Sequence, residues 1–275
     1  MQKGVKLAAA AILVLFFFGT ALADDVSDMA LSWSRNGDLL YGQANYTAAL
    51  EAYNFSLSLD PYNAIVWDRY GNTLARLGMY SEAIHAFDKA VSLDPYLVEA
   101  LTGKGDALLE TRDFQAAIAT FDRILALNPN ELHSLVGKGV GLEQTGDANG
   151  ARKAYEEAIR IADREVRVHP NDAKYDADLW NERGNAQLHL GMYQEALESY
   201  DRALAINPKH EDAVRNKNAV LLKLFEVRSA PPGLEPKVPG LRVLTTTKSS
   251  LPSSNVIIAI SIVLIALAFR RRARY

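Results

Sequence analysis

The side chains able to do chemistry in this sequence are present but dispersed. His85, His133, His169, His189 and His210 occur singly, with no H-E-x-x-H and no pair at i, i+4 that could share a metal. The 275 residues include no cysteine, which excludes disulfides, thiol catalysis, iron–sulfur clusters and cysteine-based zinc sites. Gly103-Lys104-Gly105 and Gly137-Lys138-Gly139 carry the residue types of a phosphate-cradling loop, but the full G-x-x-x-x-G-K-[ST] spacing is missing. Glu156 and Glu157 are neighbouring carboxylates among Lys and Arg, the pattern of a solvated helix face rather than of a general acid and base. Nothing places a nucleophile beside a base. The expectation is a protein that is not an enzyme and holds neither metal nor cofactor.

The two Gly-Lys-Gly tripeptides lie 34 residues apart, and that interval pervades the chain. Leu59-Asp60-Pro61, Leu93-Asp94-Pro95 and Leu127-Asn128-Pro129 recur at it, and Ile206-Asn207-Pro208 ends a later copy. With each Pro at position 32, copies begin at Ala30, Ala64, Val98, Leu132 and Ala177. Position 4 is then Trp33, Trp67, Leu101, Leu135 and Trp180, and position 8 is Gly37, Gly71, Gly105, Gly139 and Gly184. Position 20 is always Ala (49, 83, 117, 151, 196), and position 24 is Tyr53, Phe87, Phe121, Tyr155 and Tyr200.

This pattern resembles the tetratricopeptide repeat, a family of stacked helical hairpins. The resemblance implies an all-α superhelix in which small residues at positions 8 and 20 let two helices approach. Large residues at 4 and 24 fill the space beside them, and Pro at 32 stops the second helix. Repeats are expected over 30–63, 64–97, 98–131, 132–165 and 177–210, with a capping helix over 211–226. Copy four has Asp163 where Pro would stand, and copy five starts 11 residues late. Eleven residues is about three helical turns, so the second helix of copy four and the first helix of copy five are both expected to be longer than their counterparts, with the stack continuous through them.

In this family the first helices of successive hairpins line a concave groove, with positions 5 and 9 pointing into it. Here these are Ser34, Asp68, Thr102, Val136 and Asn181, and Asp38, Asn72, Asp106, Val140 and Asn185. The resemblance thus implies a polar, partly acidic groove in which Asn72 and Asn185 can bond an extended peptide backbone. The residues expected to contact a partner are Asp38, Asp68, Asn72, Thr102, Asp106, Asn181 and Asn185. Position 5 has no basic residue, which disfavours the carboxylate-clamping type of groove and favours a neutral or basic protein segment.

Both ends differ in kind from this body. Residues 1–23 join a basic start (Lys3, Lys6), an apolar stretch and Ala21-Leu22-Ala23, the layout of a signal peptide; an uncleaved anchor is the alternative. Residues 256–269 are apolar except for Ser261 and are followed by a basic tail, 270–275, with four arginines. That arrangement reads as a transmembrane helix with a cytoplasmic end. Residues 229–255 hold five of the ten prolines and read as a stalk. The tail also resembles prokaryotic C-terminal sorting signals, although Leu251-Pro252-Ser253-Ser254-Asn255 departs from LPxTG at its last two positions; an uncut anchor and a cleaved signal both remain open.

Net charge is -3, but the two ends contribute six basic residues and no acidic ones, so the middle carries -9. Such a body is a poor nucleic-acid ligand. The reading is an exported scaffold over 24–228, tethered at the cell surface, that binds protein or peptide partners; the alternative is an accessory subunit of an envelope enzyme or secretion complex. Asn45-Tyr46-Thr47 and Asn54-Phe55-Ser56 are two glycosylation sequons, with Asn45 the better placed, near a hairpin turn.

Overall fold

The computed structural model describes residues 25–229 apart from 174 and 175. All regular structure among them is helical. Helix α1 covers 25–42. It is followed by α2 (Tyr46–Leu59), α3 (Ala64–Arg76), α4 (Tyr80–Leu93), α5 (Val98–Glu110), α6 (Phe114–Leu127), α7 (Leu132–Gln144) and α8 (Ala148–Val168). The remainder are α9 (Pro170–Ala173), α10 (Ala177–His189), α11 (Tyr193–Ile206) and α12 (Glu211–Ser229).

The repeat register sets these boundaries. The first helices α3, α5, α7 and α10 each have 13 residues and start at position 1. The second helices α2, α4, α6 and α11 each have 14 and end just before the Asp-Pro or Asn-Pro pair. Proline cannot extend a helix, and the residue before it is pushed to extended backbone. Between the helices of every hairpin, position 15 is left-handed. Gly78, Gly146 and Gly191 take it at φ 77, 88 and 74°, and Ala44 and Arg112 at 57 and 64°. Glycine adopts this conformation freely, whereas alanine and arginine hold it at a cost of roughly 1–2 kcal/mol.

The core is a column of position-24 rings. Tyr53, Phe87, Phe121, Tyr155 and Tyr200 are all at most 2% exposed, beside the buried position-20 alanines. Each ring lies against the position-8 glycine of its own hairpin, as Phe87 does on Gly71. Phe87 and Phe121 also lie against Gly103 and Gly137 of the next repeat. The Gly-Lys-Gly tripeptides are therefore seats for three rings: Gly103 takes Phe87, Gly105 and Gly137 take Phe121, and Gly139 takes Tyr155. Their lysines pair backwards, Lys104 with Asp88 and Lys138 with Asp122, each at 2.6 Å. Trp33 is the exception at position 4: among the described residues no repeat packs before it, and it remains 37% exposed and leans on Phe55 at 4.7 Å.

The late fifth copy is half as expected. Helix α8 runs to 21 residues, but α10 keeps the standard 13, and part of the remaining excess forms the separate α9. The correction has a local cause. His169 leaves helical backbone (φ -122°, ψ 58°) ahead of Pro170, and Asp176 is extended and accepts the Leu179 amide proton at 2.8 Å, which starts α10 afresh. The stack continues, with α10 packed on both α7 and α8. The cap α12 packs on α11 and α10 and extends to Ser229, three residues past the expected 226.

First helices of neighbouring repeats touch (α3 with α5, α5 with α7, α7 with α10, α10 with α12), while second helices pack on the first helices beside them. The first helices are thus the inner layer of a curved stack. Among the described residues no helix is long and apolar enough to cross a membrane. The expected signal peptide (1–23), the stalk beyond 229, the apolar segment 256–269 and the basic tail 270–275 lie outside the described residues.

Candidate functional site

The inner face divides into two polar regions joined through the middle repeats. In the first, Asp38 accepts a hydrogen bond from the Tyr53 hydroxyl at 2.8 Å and from Arg69 Nη1 at 2.6 Å. Asp68 is 8% exposed and accepts from Asn72 Nδ2 at 3.2 Å. Burial, reinforced by the Glu99 charge, pushes the Asp68 carboxyl up to about 6, against the pull of Asn72 and Arg69. Asn72 keeps its second amide proton and its carbonyl oxygen. Thr102 is half-buried on α5, one repeat further along.

In the second region the expected residues are drawn into a continuous network. Asp106 Oδ1 meets His133 Nε2 at 2.8 Å, and His133 Nδ1 faces Glu182 at 3.5 Å. Glu182 also accepts from Asn181 and Asn185, each at 3.2 Å. Asn185 Oδ1 takes the Tyr200 hydroxyl and Asn216 Nδ2, both at 2.8 Å. The chain Asp106–His133–Glu182–Asn185–Asn216 thereby ties α5, α7, α10 and α12 together. Burial works against the His133 imidazolium, but Asp106 and Glu182 together outweigh it and hold its pKa well above the usual histidine value.

Of the residues at positions 5 and 9, Asn181 is only 3% exposed, and Asp38, Asp106 and Asn185 are engaged in bonds within the stack. Position 9 owes much of this to position 24: where position 24 is Tyr53 or Tyr200, its hydroxyl donates to Asp38 or Asn185. Where position 9 is Val140, the Tyr155 hydroxyl turns to Glu143 at 3.0 Å. Repeats with Phe87 and Phe121 have no hydroxyl to satisfy, so Asn72 and Asp106 face neighbours on the first helices instead. Sequence reasoning missed Arg69, His133, Glu182 and Asn216. Arg69, Glu182 and Asn216 share position 6 in their copies, and that common position was the available signal.

Beside the second region lies a cleft of about 530 Å³, to which α8 contributes Ile161 and Glu165. Glu131, His133, Glu165, Asp178, Glu182 and Asp212 are among its lining residues. Several of its carboxylates have local duties: Glu131 caps α7 at Ser134 N, Asp176 caps α10, and Asp178 pairs with His210 Nε2 at 2.9 Å. The two sequon asparagines stand apart from this face, Asn45 at the start of α2 and Asn54 on its exposed side.

Comparison with known proteins agrees with this architecture. The tetratricopeptide-repeat family matches at residues 34–98, 74–139 and 177–210. A thermophilic tetratricopeptide-repeat protein of Thermus thermophilus aligns with a TM-score of 0.55 and 19% identity, over 70% of this chain and 99% of its own. One from Parabacteroides merdae aligns with a TM-score of 0.53 and 18% identity, over 72% and 73%. The MamA protein aligns with 25% identity and a TM-score of 0.48, over 66% and 93%. No curated protein shows a significant match. Proteins of this fold typically serve as non-catalytic scaffolds for protein or peptide partners, and with the repeat register, the glycine-seated rings and the matched stretches 34–139 and 177–210 making up half of the chain, it belongs to the tetratricopeptide-repeat family.

Proposed function

We propose that the chain is an exported scaffold without catalytic activity, held at the outer face of a membrane by its C-terminal segment, whose inner groove receives a neutral or basic segment of a partner protein. The observation that carries the groove is the side-by-side packing of α3, α5, α7 and α10. It leaves Asn72 and Thr102 on the inner layer, near the carboxylates of Asp68 and Glu99, without consuming them in the stack. Asn72 supplies donor and acceptor to a peptide backbone, and the two carboxylates suit a lysine or arginine side chain. Asn181 and Asn185 act at one remove in this reading, by holding the inner layer together. Tethering rests on the sequence at 1–23 and 256–275.

Topology is tested by protease added to intact cells. Digestion of the body supports the reading, and a body left whole while an external control protein is cut rejects it. Groove binding is tested by recovering the full chain from detergent-solubilised membranes, wild type beside the double variant Asn72→Ala/Thr102→Ala. Loss of a co-purifying partner from the folded variant is expected, and undiminished recovery rules the groove out. A stoichiometric membrane enzyme in the wild-type sample would favour an accessory-subunit role.

A further inference from the structure

Of the two sequons, only one presents both of its working side chains. Asn45 is exposed at the N-cap of α2, with φ -87° and ψ 68°, directly after the left-handed Ala44 in the α1–α2 turn. At the same position of later hairpins Asp113 and Asp147 accept amide protons from Ala116 and Gly150. The Asn45 side chain makes no such capping bond, so its amide group is not pinned to the helix end through Oδ1. Thr47 is exposed on the first turn. The second sequon is different. Asn54 lies inside α2, and Ser56, whose hydroxyl completes the motif, is 2% exposed and donates to the Ala30 carbonyl at 2.7 Å. Presenting Ser56 to an enzyme requires breaking the α1–α2 contact.

We propose that Asn45 is an acceptor for N-linked oligosaccharide in the folded protein and that Asn54 is not. The inference rests on export of the body, since the donor is a lipid-diphosphate-linked oligosaccharide used outside the cytoplasm. In the transfer, Asn45 Nδ2 forms a bond to C1 of the first sugar and the C1–oxygen bond to the diphosphate breaks. The lipid diphosphate leaves with the bonding electrons, and one Nδ2 proton passes to a base of the transferase. The sugar would stand on the α1–α2 turn, on a side chain that takes no part in the inner-face network.

The test uses the full chain in detergent, incubated with an oligosaccharyltransferase and a lipid-linked oligosaccharide. The folded wild type is expected to gain the mass of one glycan, mapped to Asn45. The gain disappears in Asn45→Gln and Thr47→Ala and persists in Asn54→Gln, while prior denaturation opens Asn54 as a second acceptor. A folded chain that stays bare at Asn45, or reacts equally at Asn54, overturns the proposal. The mass of the protein from its own cells separates the two readings. Loss of 1–23 with a glycan on Asn45 supports both. Loss of 1–23 with a bare Asn45 overturns the modification and leaves export standing. Retention of 1–23 on a protease-inaccessible, bare chain overturns both.

Discussion

Arg76 Nη2 reaches Glu211 Oε2 at 3.1 Å across 135 residues of sequence. The end of α3 in the second repeat therefore meets the start of the capping helix α12. Arg76 is fixed on its own side by the Tyr46 hydroxyl, 3.3 and 3.2 Å from Nε and Nη2, and by the Tyr46 ring at 5.6 Å. Glu211 opens α12, where the helix dipole favours an acid. The stack thus curls far enough for its second repeat and its cap to touch.

This contact should govern shape more than stability. The two side chains are 44% and 76% exposed, and such pairs contribute about 0–1 kcal/mol. Glu211→Lys is expected to lower Tm by no more than about 4 °C. The natural absence of cysteine allows paired labels at Ser81 and Lys209, and their distance distribution should broaden and lengthen in the variant and at high salt. An unaltered distribution would mean that helix packing alone sets the curl.

A second prediction concerns Phe87, fully buried between two glycines. A Cβ at Gly71 would lie 2.7 Å from the ring, and one at Gly103 would lie 2.5 Å from it. Alanine gains about 1 kcal/mol over glycine in helix propensity, but overpacking costs about 1–3 kcal/mol. Gly103→Ala should therefore destabilise on balance, by up to about 2 kcal/mol. In a Phe87→Leu background the same change should approach neutrality or become favourable. Denaturant titrations of the four proteins give the coupling energy directly, and additive effects would remove the glycine-seat explanation.

The reach of the sequence follows from how each feature is encoded. Helix boundaries, the ring column and the longer α8 are local or strictly periodic, so the positions of Pro61, Gly71, Phe87 and Asp163 in a 34-residue frame were enough. Helix α9 was missed because two local stops, Pro170 and the cap at Asp176, overrode the register. The inner-face network was missed for another reason. His133 bridges Asp106 and Glu182 on different repeats, and a repeat position names a face of a helix without naming the partner across it.

Asp68 provides a pH-dependent test on the groove itself. Its folded pKa, about 6, lies above the unfolded value near 3.9. Its contribution to stability is fully favourable below the unfolded value and is lost as pH rises through the folded one. At pH 7–8 the buried carboxylate therefore costs up to about 3 kcal/mol, from about 1.4 kcal/mol per pKa unit. Asp68→Asn removes the charge and keeps an oxygen for Asn72 Nδ2. Denaturant titration should show the variant more stable than wild type at pH 7.5, with the gap closing towards pH 4. A gap independent of pH would place its origin elsewhere.

His133 should act in the same direction through the opposite chemistry. Its folded pKa is raised, despite the burial that works against it, because Asp106 and Glu182 favour the imidazolium. Its stabilisation is therefore complete below the unfolded value near 6.5 and disappears as pH rises through the folded value. The side chain is 37% exposed, so solvent screening limits the effect to the order of 1 kcal/mol, or about 2–4 °C in Tm. His189 has the reverse sign: burial lowers its pKa, outweighing Glu143, so protonating it below the unfolded value costs stability. The whole-protein pH profile mixes the two, and the difference between wild type and His133→Gln isolates the first. That difference should be largest at mildly acidic pH and shrink in alkaline solution, and Asp106→Asn should reproduce most of it. Should it instead grow as pH rises, His133 would be acting as a neutral packing group, and the tie between α5, α7 and α10 would not be ionic.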